Sequence, residues 1–366
     1  MVSGIERFVR PAIRELEPYE WEISTPALAA RLAVPLDRIL RFDTNTSPFP
    51  PSDLIAEVLA SPPTDGDTVN EYPDASYGRL THELARYTGF PVEQIVMGAG
   101  ADEILDMIAK VFVGERDRAV VTAPTYAMYA IATELLGGTA IAVEDRKGYE
   151  LNVEGLTRAA AGAKLLWICN PNNPTGNPRP LADLERLLGA VECPVVVDEA
   201  YFEFHGETAA GLVGPYPHLI VVRTLSKAFG LAGARIGYAL ASPEVARYLN
   251  TVRPPNSIAV LSVRLGTLAL RRAEEMRRNV ATIVAEREWL AGQLTGLGAT
   301  VLPSVTNFLA FAIPGAKARA RALLDEGIVV RDLTSRKRLE SCLRVTVRTR
   351  AENERLVGAL AAVESG

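Results

Sequence analysis

Thr224-Leu225-Ser226-Lys227-Ala228-Phe229-Gly230-Leu231-Ala232-Gly233-Ala234-Arg235 places a lysine and an arginine eight residues apart in a stretch rich in glycine and alanine. The apolar run 219–222 comes just before it and predicts a buried strand. A lysine amine can form an imine with an aldehyde, and an arginine can hold a phosphate. An aldehyde cofactor that carries a phosphate, pyridoxal 5'-phosphate, needs both groups. The alternative is a solvated surface lysine near an incidental arginine.

Two upstream segments end in polar side chains that favour the cofactor interpretation. The apolar run 165–169 leads into Asn170-Pro171-Asn172-Asn173-Pro174-Thr175-Gly176, which predicts a turn. The β-branched run 195–197 leads directly into Asp198. In an open α/β sheet, residues just past the carboxyl ends of strands line the ligand crevice. Polar groups from three strands are therefore expected to meet at one ligand.

These segments, in this order, resemble the fold-type I enzymes that use pyridoxal 5'-phosphate, within the class I and II aminotransferases. Their details are most similar to the histidinol-phosphate aminotransferases, from about Tyr19 to the C-terminal helix. The resemblance implies an α/β fold with a large three-layer α/β/α domain, a mostly parallel sheet and a small α+β domain. The implied segments are 1–49 for an N-terminal arm and part of the small domain, 50–255 for the large cofactor-binding domain, and 256–366 for a linking helix and the C-terminal small domain.

Two elements of that fold can be placed in more detail. The run 236–240 is expected to be the antiparallel strand that these folds contain. The apolar pattern from 258 to about 297 predicts one long helix between the domains. Strands and a helix alternate from residue 299 onward, which is typical of a small α+β domain.

Composition excludes several classes of function. The 366 residues carry a formal net charge of −5, and no basic run suggests a nucleic-acid or anionic-membrane partner. No secretory pattern and no run of membrane-spanning length is visible, so a soluble cytoplasmic protein is expected. Three separated cysteines and three histidines without ligand spacing predict neither a disulfide framework nor a metal site. Cys169 is expected to be a core residue.

The resemblance assigns most polar motif residues to the cofactor. Lys227 would hold it covalently, Asp198 would pair with the protonated ring nitrogen, and Tyr201 would tune the bond to lysine. The glycine-rich turn before the helix near Asp102 suits a phosphate, because free backbone N–H groups and the positive helix end meet there. The expected catalytic residues are Lys227, Asp198 and Tyr201; the expected cofactor-binding residues are Gly100, Ala101, Asp102, Tyr126, Asn173, Asp198, Tyr201, Thr224, Ser226, Lys227 and Arg235, with Tyr72 added from a neighbouring subunit.

Several of these residues have an ordinary structural alternative. The resemblance lays the Tyr126 ring on the cofactor ring, but Tyr126 could be a core tyrosine. Asp198 could be a helix-capping aspartate. Tyr72 could be a packing aromatic, whereas the resemblance gives its hydroxyl to the cofactor phosphate of the neighbouring subunit. That last assignment implies a homodimer with shared active sites.

Two arginines are the main candidates for the substrate. Arg344 interrupts an apolar strand, so it must be paired or face a cleft. A buried structural ion pair is the alternative, but Arg331 and Arg344 match the arginines that hold the substrate's anionic group in the family. The loop from Thr334 to Arg338 is interpreted as solvated rather than as a phosphate clamp. The expected substrate-binding residues are Tyr19, Asn45, Asn173, Arg331 and Arg344, and the sequence departs from the family pattern at Thr46, Ser47, Pro255 and Arg348.

The implied activity is the transfer of an amino group from histidinol phosphate to 2-oxoglutarate. The partners are then a small amino donor and a 2-oxo acid. An aromatic or broad-specificity amino-acid transaminase is the first alternative on this scaffold. A decarboxylase of a phosphorylated amino acid and a non-catalytic protein that binds pyridoxal phosphate are the others.

Overall fold

A seven-stranded sheet dominates the computed structural model, which describes residues 4–16, 23–62 and 68–363. The strands are β1 (Leu40–Arg41), β2 (Ile95–Gly98), β3 (Arg118–Ala123), β4 (Thr139–Glu144), β5 (Leu165–Cys169), β6 (Val195–Asp198), β7 (Leu219–Thr224), β8 (Gly237–Leu240), β9 (Thr300–Val301), β10 (Phe308–Ala312), β11 (Ile328–Val329), β12 (Arg331–Asp332) and β13 (Cys342–Thr346). The α-helices are α1 (Pro11–Glu15), α2 (Thr25–Leu32), α3 (Ser52–Ala60), α4 (Gly78–Thr88), α5 (Ala101–Phe112), α6 (Met128–Glu134), α7 (Val153–Ala160), α8 (Leu181–Leu188), α9 (Phe202–His205), α10 (Pro243–Val252), α11 (Val260–Arg271), α12 (Ala273–Gly296), α13 (Ala316–Asp325) and α14 (Arg350–Ala362). Within these ranges, no helix combines the length and the apolar character needed to cross a membrane.

The large sheet has the strand order β2-β8-β7-β6-β5-β3-β4. Strand β8 is antiparallel to both of its neighbours, and the strands from β7 to β4 run parallel to one another. The predicted α/β fold with a mostly parallel sheet is therefore confirmed, and so is the antiparallel strand in the run 236–240. Strands β5, β6 and β7 are neighbours, so their carboxyl ends lie side by side.

Burial on both faces explains why β6 is continuously apolar. Val195, Val196 and Val197 are each at most 1% exposed. Val195 and Val197 belong to the core that includes Leu184 of α8, whereas Val196 belongs to the core that includes Ile108 of α5. Parallel sheets are covered by helices on both sides, which removes the usual alternation of apolar and polar residues. The buried strand therefore holds Asp198, its last residue, in a fixed place.

A four-stranded antiparallel sheet, hereafter the small sheet, has the order β12-β13-β10-β9. Arg331 and Arg344 are directly opposite each other on β12 and β13, so their side chains share one face. Strand β1 pairs with β11 instead, which ties the first described strand to the C-terminal part of the chain. The large sheet lies within segment 50–255 and the small sheet within 256–366. The domain boundaries themselves stay a prediction.

The prediction of one long helix from 258 to about 297 is wrong. Helix α11 ends at Arg271 and α12 begins at Ala273, because Arg272 leaves the helical conformation with φ −105° and ψ 32°. The Arg272 guanidinium forms an ion pair with Glu57 of α3. The break allows α11 to pack on α3 and α4, while α12 packs on β9, β10 and α14. No proline or glycine marks the break in the sequence.

Candidate active site

A cavity of about 380 Å³ lies at the carboxyl ends of β5, β6 and β7 and reaches the small sheet. Most of the residues selected from the sequence line this cavity: Asn45, Ala101, Asp102, Tyr126, Asn173, Asp198, Tyr201, Thr224, Ser226, Lys227, Arg235, Arg331 and Arg344. Gly100 directly precedes this lining at the start of α5. Tyr72 is not part of the lining and is 85% exposed. Tyr19 lies outside the described residues.

Asp198 is a buried carboxylate with a donor on each oxygen. The Tyr129 hydroxyl donates to Oδ2 at 2.8 Å, and the backbone N–H of Ala200 donates to Oδ1 at 3.1 Å. Burial raises the pKa of Asp198 to about 6, and the two hydrogen bonds oppose that rise. A cation placed against the carboxylate would lower its pKa again and keep it ionised. The residue is therefore suited to a protonated ring nitrogen, as expected of a partner for the cofactor.

Tyr129 is a site residue that the sequence analysis missed. It is fully buried in α6, and its ring stacks on Trp167 with centroids 5.5 Å apart and planes 11° apart. Tyr126 precedes the first residue of α6, so no helical spacing in the sequence points to Tyr129. The two tyrosine rings meet edge to face at 5.7 Å. The packing fixes the Tyr129 hydroxyl and so fixes the orientation of Asp198.

Lys227 lies in a setting that favours its neutral amine. Burial, with smaller contributions from the positive charges of Arg344 and Arg235, lowers the pKa of Lys227 to about 8. The negative charges of Asp102 and Asp198 act in the opposite direction. The neutral fraction of the amine therefore rises with pH through about 8, well below the range of an ordinary lysine. A neutral amine is the form that attacks an aldehyde or accepts a proton.

Residues at the start of α5 and in the segment that follows β7 form a cradle for an anion. Gly100 has φ +84°, and a Cβ added there would lie 2.6 Å from Nη2 of Arg235. Arg235 Nη2 also donates to Asp102 Oδ2 at 3.0 Å, in a half-exposed ion pair. The Thr224 hydroxyl donates to that of Ser226 at 2.9 Å. Free helix N–H groups, a guanidinium and hydroxyls are the groups that bind phosphate in proteins.

Tyr126 contributes the wall of the cavity beside this cradle. Its hydroxyl donates to Asp102 Oδ1 at 3.1 Å, and its ring is held against Tyr129. The anchored ring lines the cavity, so it is available to stack on a planar ligand. Cys169 also borders the cavity, but burial raises the pKa of its thiol to about 12. The thiol therefore stays protonated, and Cys169 is a core residue as expected.

A hydrogen-bonded group connects the large sheet to the small sheet. Asn45 Nδ2 donates to the Tyr201 hydroxyl at 3.0 Å, and the Asn45 backbone N–H donates to Thr346 Oγ1 at 2.9 Å. Arg344 donates to Asn173 Oδ1 at 2.7 Å and to the Asp43 carbonyl at 2.6 Å. Burial raises the pKa of Tyr201, so its hydroxyl keeps its proton and can donate a hydrogen bond to a ligand. The two acceptors Asn173 Oδ1 and the Asp43 carbonyl are neutral oxygens.

The loop from Thr334 to Arg338 differs from the prediction that it is solvated. Arg336 is half-buried and lines the cavity together with Arg331 and Arg344. The loop is held by Arg338, whose guanidinium donates to the carbonyls of Asp145 and Arg146 beside β4. These contacts join residues more than 190 positions apart, so no local sequence pattern predicts them. Arg336 is the second site residue that the sequence analysis missed.

The family departures lie at different distances from the cavity. Thr46 lines it next to Asn45, in the segment that β1 leads into. Arg348 does not line it; its guanidinium pairs with Glu352 at 2.7 Å, inside the capping box of α14. Its charge is therefore used to hold the start of a helix. Within the described ranges, no group of three or more histidine, cysteine, aspartate or glutamate side chains could hold a metal ion.

Comparisons with known proteins give a consistent result. The family model "Aminotransferase class I and II" matches residues 37–360. The chain is 39% identical to the histidinol-phosphate aminotransferase of Roseiflexus castenholzii over 371 residues, which cover 98% of this chain and 99% of that protein. It is 36% identical to that of Escherichia coli over 304 residues, which cover 81% and 85%. The structure of histidinol-phosphate aminotransferase from Sinorhizobium meliloti in complex with pyridoxal-5'-phosphate matches with a TM-score of 0.86 at 27% identity and covers 96% of both chains.

Proposed function

Because the chain belongs to the aminotransferase class I and II family, we propose that it is a pyridoxal-phosphate-dependent aminotransferase whose amino donor is histidinol phosphate. The reaction converts histidinol phosphate and 2-oxoglutarate to imidazole acetol phosphate and glutamate. The observation that carries the proposal is a single cavity that joins Lys227 and Asp198 to the substrate-side arginines Arg331 and Arg344. The relatives described above carry this activity in their names.

The residues of the cavity fit the cofactor at both of its ends. Pyridoxal phosphate supplies an aldehyde that exchanges amines and a ring that withdraws electrons from the substrate carbon. Asp198 would hold the proton on the ring nitrogen, and the cradle at Gly100 and Arg235 would bind the phosphate. Tyr201 and Asn173 would donate hydrogen bonds to the phenolic oxygen. Lys227 would hold the cofactor, and its buried amine, whose pKa is lowered to about 8, would be the base that accepts and returns a proton.

The arginines of the small sheet bind the anionic end of each substrate. Histidinol phosphate has no carboxylate, so Arg331 and Arg344 hold its phosphate. Glutamate and 2-oxoglutarate present carboxylates to the same guanidinium groups. A guanidinium can form two parallel hydrogen bonds with a carboxylate or with a phosphate, so it can bind both kinds of substrate. Arg344 is additionally fixed by its bond to Asn173. The two substrates therefore bind in turn at one site, and the first product leaves before the second substrate enters.

A panel of amino donors tests the function. The purified holoenzyme is mixed with histidinol phosphate, glutamate, phenylalanine or phosphothreonine, and the change of the cofactor absorbance to that of the amine form is followed. We expect histidinol phosphate to react with a kcat/KM at least about 100-fold above that of phenylalanine, because a site built for an anion discriminates against ligands that leave its cations unmatched.

The other outcomes of the panel identify the alternatives. Faster conversion by phenylalanine would make the protein an aromatic transaminase. Release of carbon dioxide from phosphothreonine would make it a decarboxylase. No conversion by any donor, with the cofactor still bound, would make it a non-catalytic binding protein. Each of these outcomes would overturn the proposed donor.

Replacement of Tyr129 by phenylalanine should weaken both cofactor binding and catalysis. The variant removes the donor to Asp198 Oδ2 in a fully buried place, so the pKa of Asp198 rises and less of it faces the ring nitrogen as a carboxylate. A hydrogen bond to a charged group contributes about 1.5–3 kcal/mol, which corresponds to at least about a tenfold rise in the cofactor dissociation constant. Equilibrium dialysis with pyridoxal phosphate measures it without turnover.

A matched control separates this effect from a general loss of packing. Tyr216→Phe removes a half-buried tyrosine hydroxyl beyond the cavity lining, and cofactor affinity should be unchanged. Equal affinity in Tyr129→Phe and the original protein would remove Tyr129 from the site. A drop in melting temperature alone would assign it a structural role only.

The second part of the proposal is a homodimer with shared active sites. Tyr72 is 85% exposed and lies outside the lining of its own chain's cavity, so its hydroxyl is available to another molecule. We assign it to the cofactor phosphate of the neighbouring subunit.

Replacement of Tyr72 by phenylalanine should raise the cofactor dissociation constant about tenfold, since one hydrogen bond to phosphate is lost. Mixed dimers of Tyr72→Phe and Lys227→Ala then provide the sharper test. One of their two sites has both Lys227 and Tyr72 intact if the sites are shared, so tight binding should return in that site. Tyr248→Phe, at another exposed tyrosine, is the control. A monomer in sedimentation, or no recovery in the mixture, would contradict the shared site.

A further inference from the structure

We propose that Arg336 is a specificity-determining residue, which makes the substrate end of the cavity select a dianionic phosphate ester over a carboxylate. The inference rests on the proposed function, because it concerns the same cavity and the same donor. Arg336 lines the cavity with Arg331 and Arg344, so three guanidinium groups border one end of it. It comes from the loop that follows β12, whereas the other two lie on paired strands.

The charges of the cavity lining favour a ligand with more than one negative charge. Five cationic side chains line it against three carboxylates. Two of the carboxylates are engaged by arginines: Asp102 by Arg235, and Asp43 by Arg41 through two bonds of 2.7 and 2.8 Å. The third, Asp198, is held by Tyr129 at the end of β6. Each of these carboxylates therefore has a partner of its own, and three of the five cationic side chains in the lining are the arginines of the substrate end.

The number of arginines distinguishes the two kinds of anion. A carboxylate carries one charge on two oxygens, which one guanidinium can match with two parallel hydrogen bonds. A phosphate monoester carries close to two charges at neutral pH on three acceptor oxygens. Arg344 and Arg331 suffice for a carboxylate substrate. A third guanidinium adds a contact that only the larger, doubly charged group can use in full.

The loop holds Arg336 in place before a substrate arrives. Nη1 and Nη2 of Arg338 donate to the carbonyls of Asp145 and Arg146 at 2.6 and 2.9 Å. The Tyr149 hydroxyl donates to the carbonyl of Arg338 at 2.8 Å. Asp145 is itself paired with buried Arg179 at 2.6 Å. The loop is therefore fastened to a rigid part of the large sheet, which reduces the ordering cost of binding through Arg336.

Inhibition of the glutamate half-reaction tests the inference independently of the donor. Phenyl phosphate is the dianionic probe and benzoate the monoanionic one, and both are measured with Arg336→Gln. We expect the inhibition constant of phenyl phosphate to rise about tenfold and that of benzoate to rise less than about threefold, since a hydrogen bond between charged groups is lost only with phosphate. The KM for histidinol phosphate should rise in parallel, with kcat little changed. Arg336→Lys, which keeps the charge, should recover part of the phosphate affinity.

Lys337→Gln is the matched control, because it removes one positive charge from the next residue. The Lys337 ammonium pairs with Glu144 at the surface and does not line the cavity, so neither inhibition constant should change. Equal losses for phenyl phosphate and benzoate in Arg336→Gln, or an unchanged constant for phenyl phosphate, would overturn the inference. If phenyl phosphate binding depends on Arg336 while histidinol phosphate is not a donor, the proposed function fails and the phosphate selectivity stands.

Discussion

Replacement of Lys227 by alanine is expected to abolish amino transfer and the covalent attachment of the cofactor. The variant removes the amine to which we assign both the bond to the aldehyde and the transfer of a proton, and a positioned base alone accelerates a reaction by about 10²–10⁴-fold. A fall in kcat of at least about 10³-fold is therefore expected. The absorbance of the lysine-bound cofactor should also be lost, and borohydride reduction followed by digestion should leave no pyridoxyl label on the peptide that contains residue 227.

The control for this variant is Lys164→Ala, which removes an exposed lysine and should retain both label and activity. Dialysis with pyridoxal phosphate shows whether the cavity survives, because the cradle at Gly100 and Arg235 should still hold the phosphate without a covalent bond. A pyridoxyl label on a different lysine, or turnover within about tenfold of the original protein, would contradict the assigned role of Lys227.

Replacement of Asp198 by asparagine is expected to have the next largest effect. The amide is nearly the same size but carries no charge, so a protonated ring nitrogen loses its buried counter-ion. Removal of one partner of a buried charge pair costs about 3–5 kcal/mol, which corresponds to a fall in kcat of about 10²–10⁴-fold if the whole cost falls on the transition state. The measurement is the rate of the histidinol phosphate half-reaction in a stopped-flow instrument.

The pH dependence of cofactor binding provides a second measurement on Asp198. Without ligand, burial raises its pKa to about 6, so the carboxylate is lost as the pH falls through about 6. Cofactor affinity in the original protein should therefore fall from pH 7 to pH 5, whereas Asp198→Asn should lack this part of the dependence. Asp183→Asn, at a surface carboxylate of α8, is the control for a lost charge. An undiminished rate in Asp198→Asn would show that the carboxylate does not face the ring.

The cofactor end of the cavity could be predicted from the sequence because its residues follow buried strands. Asp198 comes directly after an apolar run and Asn173 lies in the turn that follows another, and the parallel arrangement of those strands brings their carboxyl ends together. Lys227 follows β7 in the same way. Local pattern and general sheet geometry are sufficient for such residues, although their roles with the cofactor stay a prediction.

The residues that were missed depend on contacts between distant parts of the chain. Tyr129 is a site residue only because its hydroxyl reaches a carboxylate 69 positions away. Arg336 faces the cavity because its loop is fastened near residue 145, and an irregular loop has no periodicity that directs its side chains. The helix break at Arg272 follows from packing on α3 and α4 rather than from a helix-breaking residue. Such features need the tertiary structure.

The bonds between Asn45 and Thr346 join residues 301 positions apart, which affects how the protein is made. A nascent chain that has left the ribosome as far as residue 255 already contains Lys227 and Asp198, but it lacks β13 and the arginine on it. Loop closure over such a separation is slow compared with local folding, so the pocket is completed only after β13 has been made and has reached Asn45. Until then the polar residues of the large sheet lack the partners that β13 supplies, so a chain that stops before β13 should not form the complete pocket.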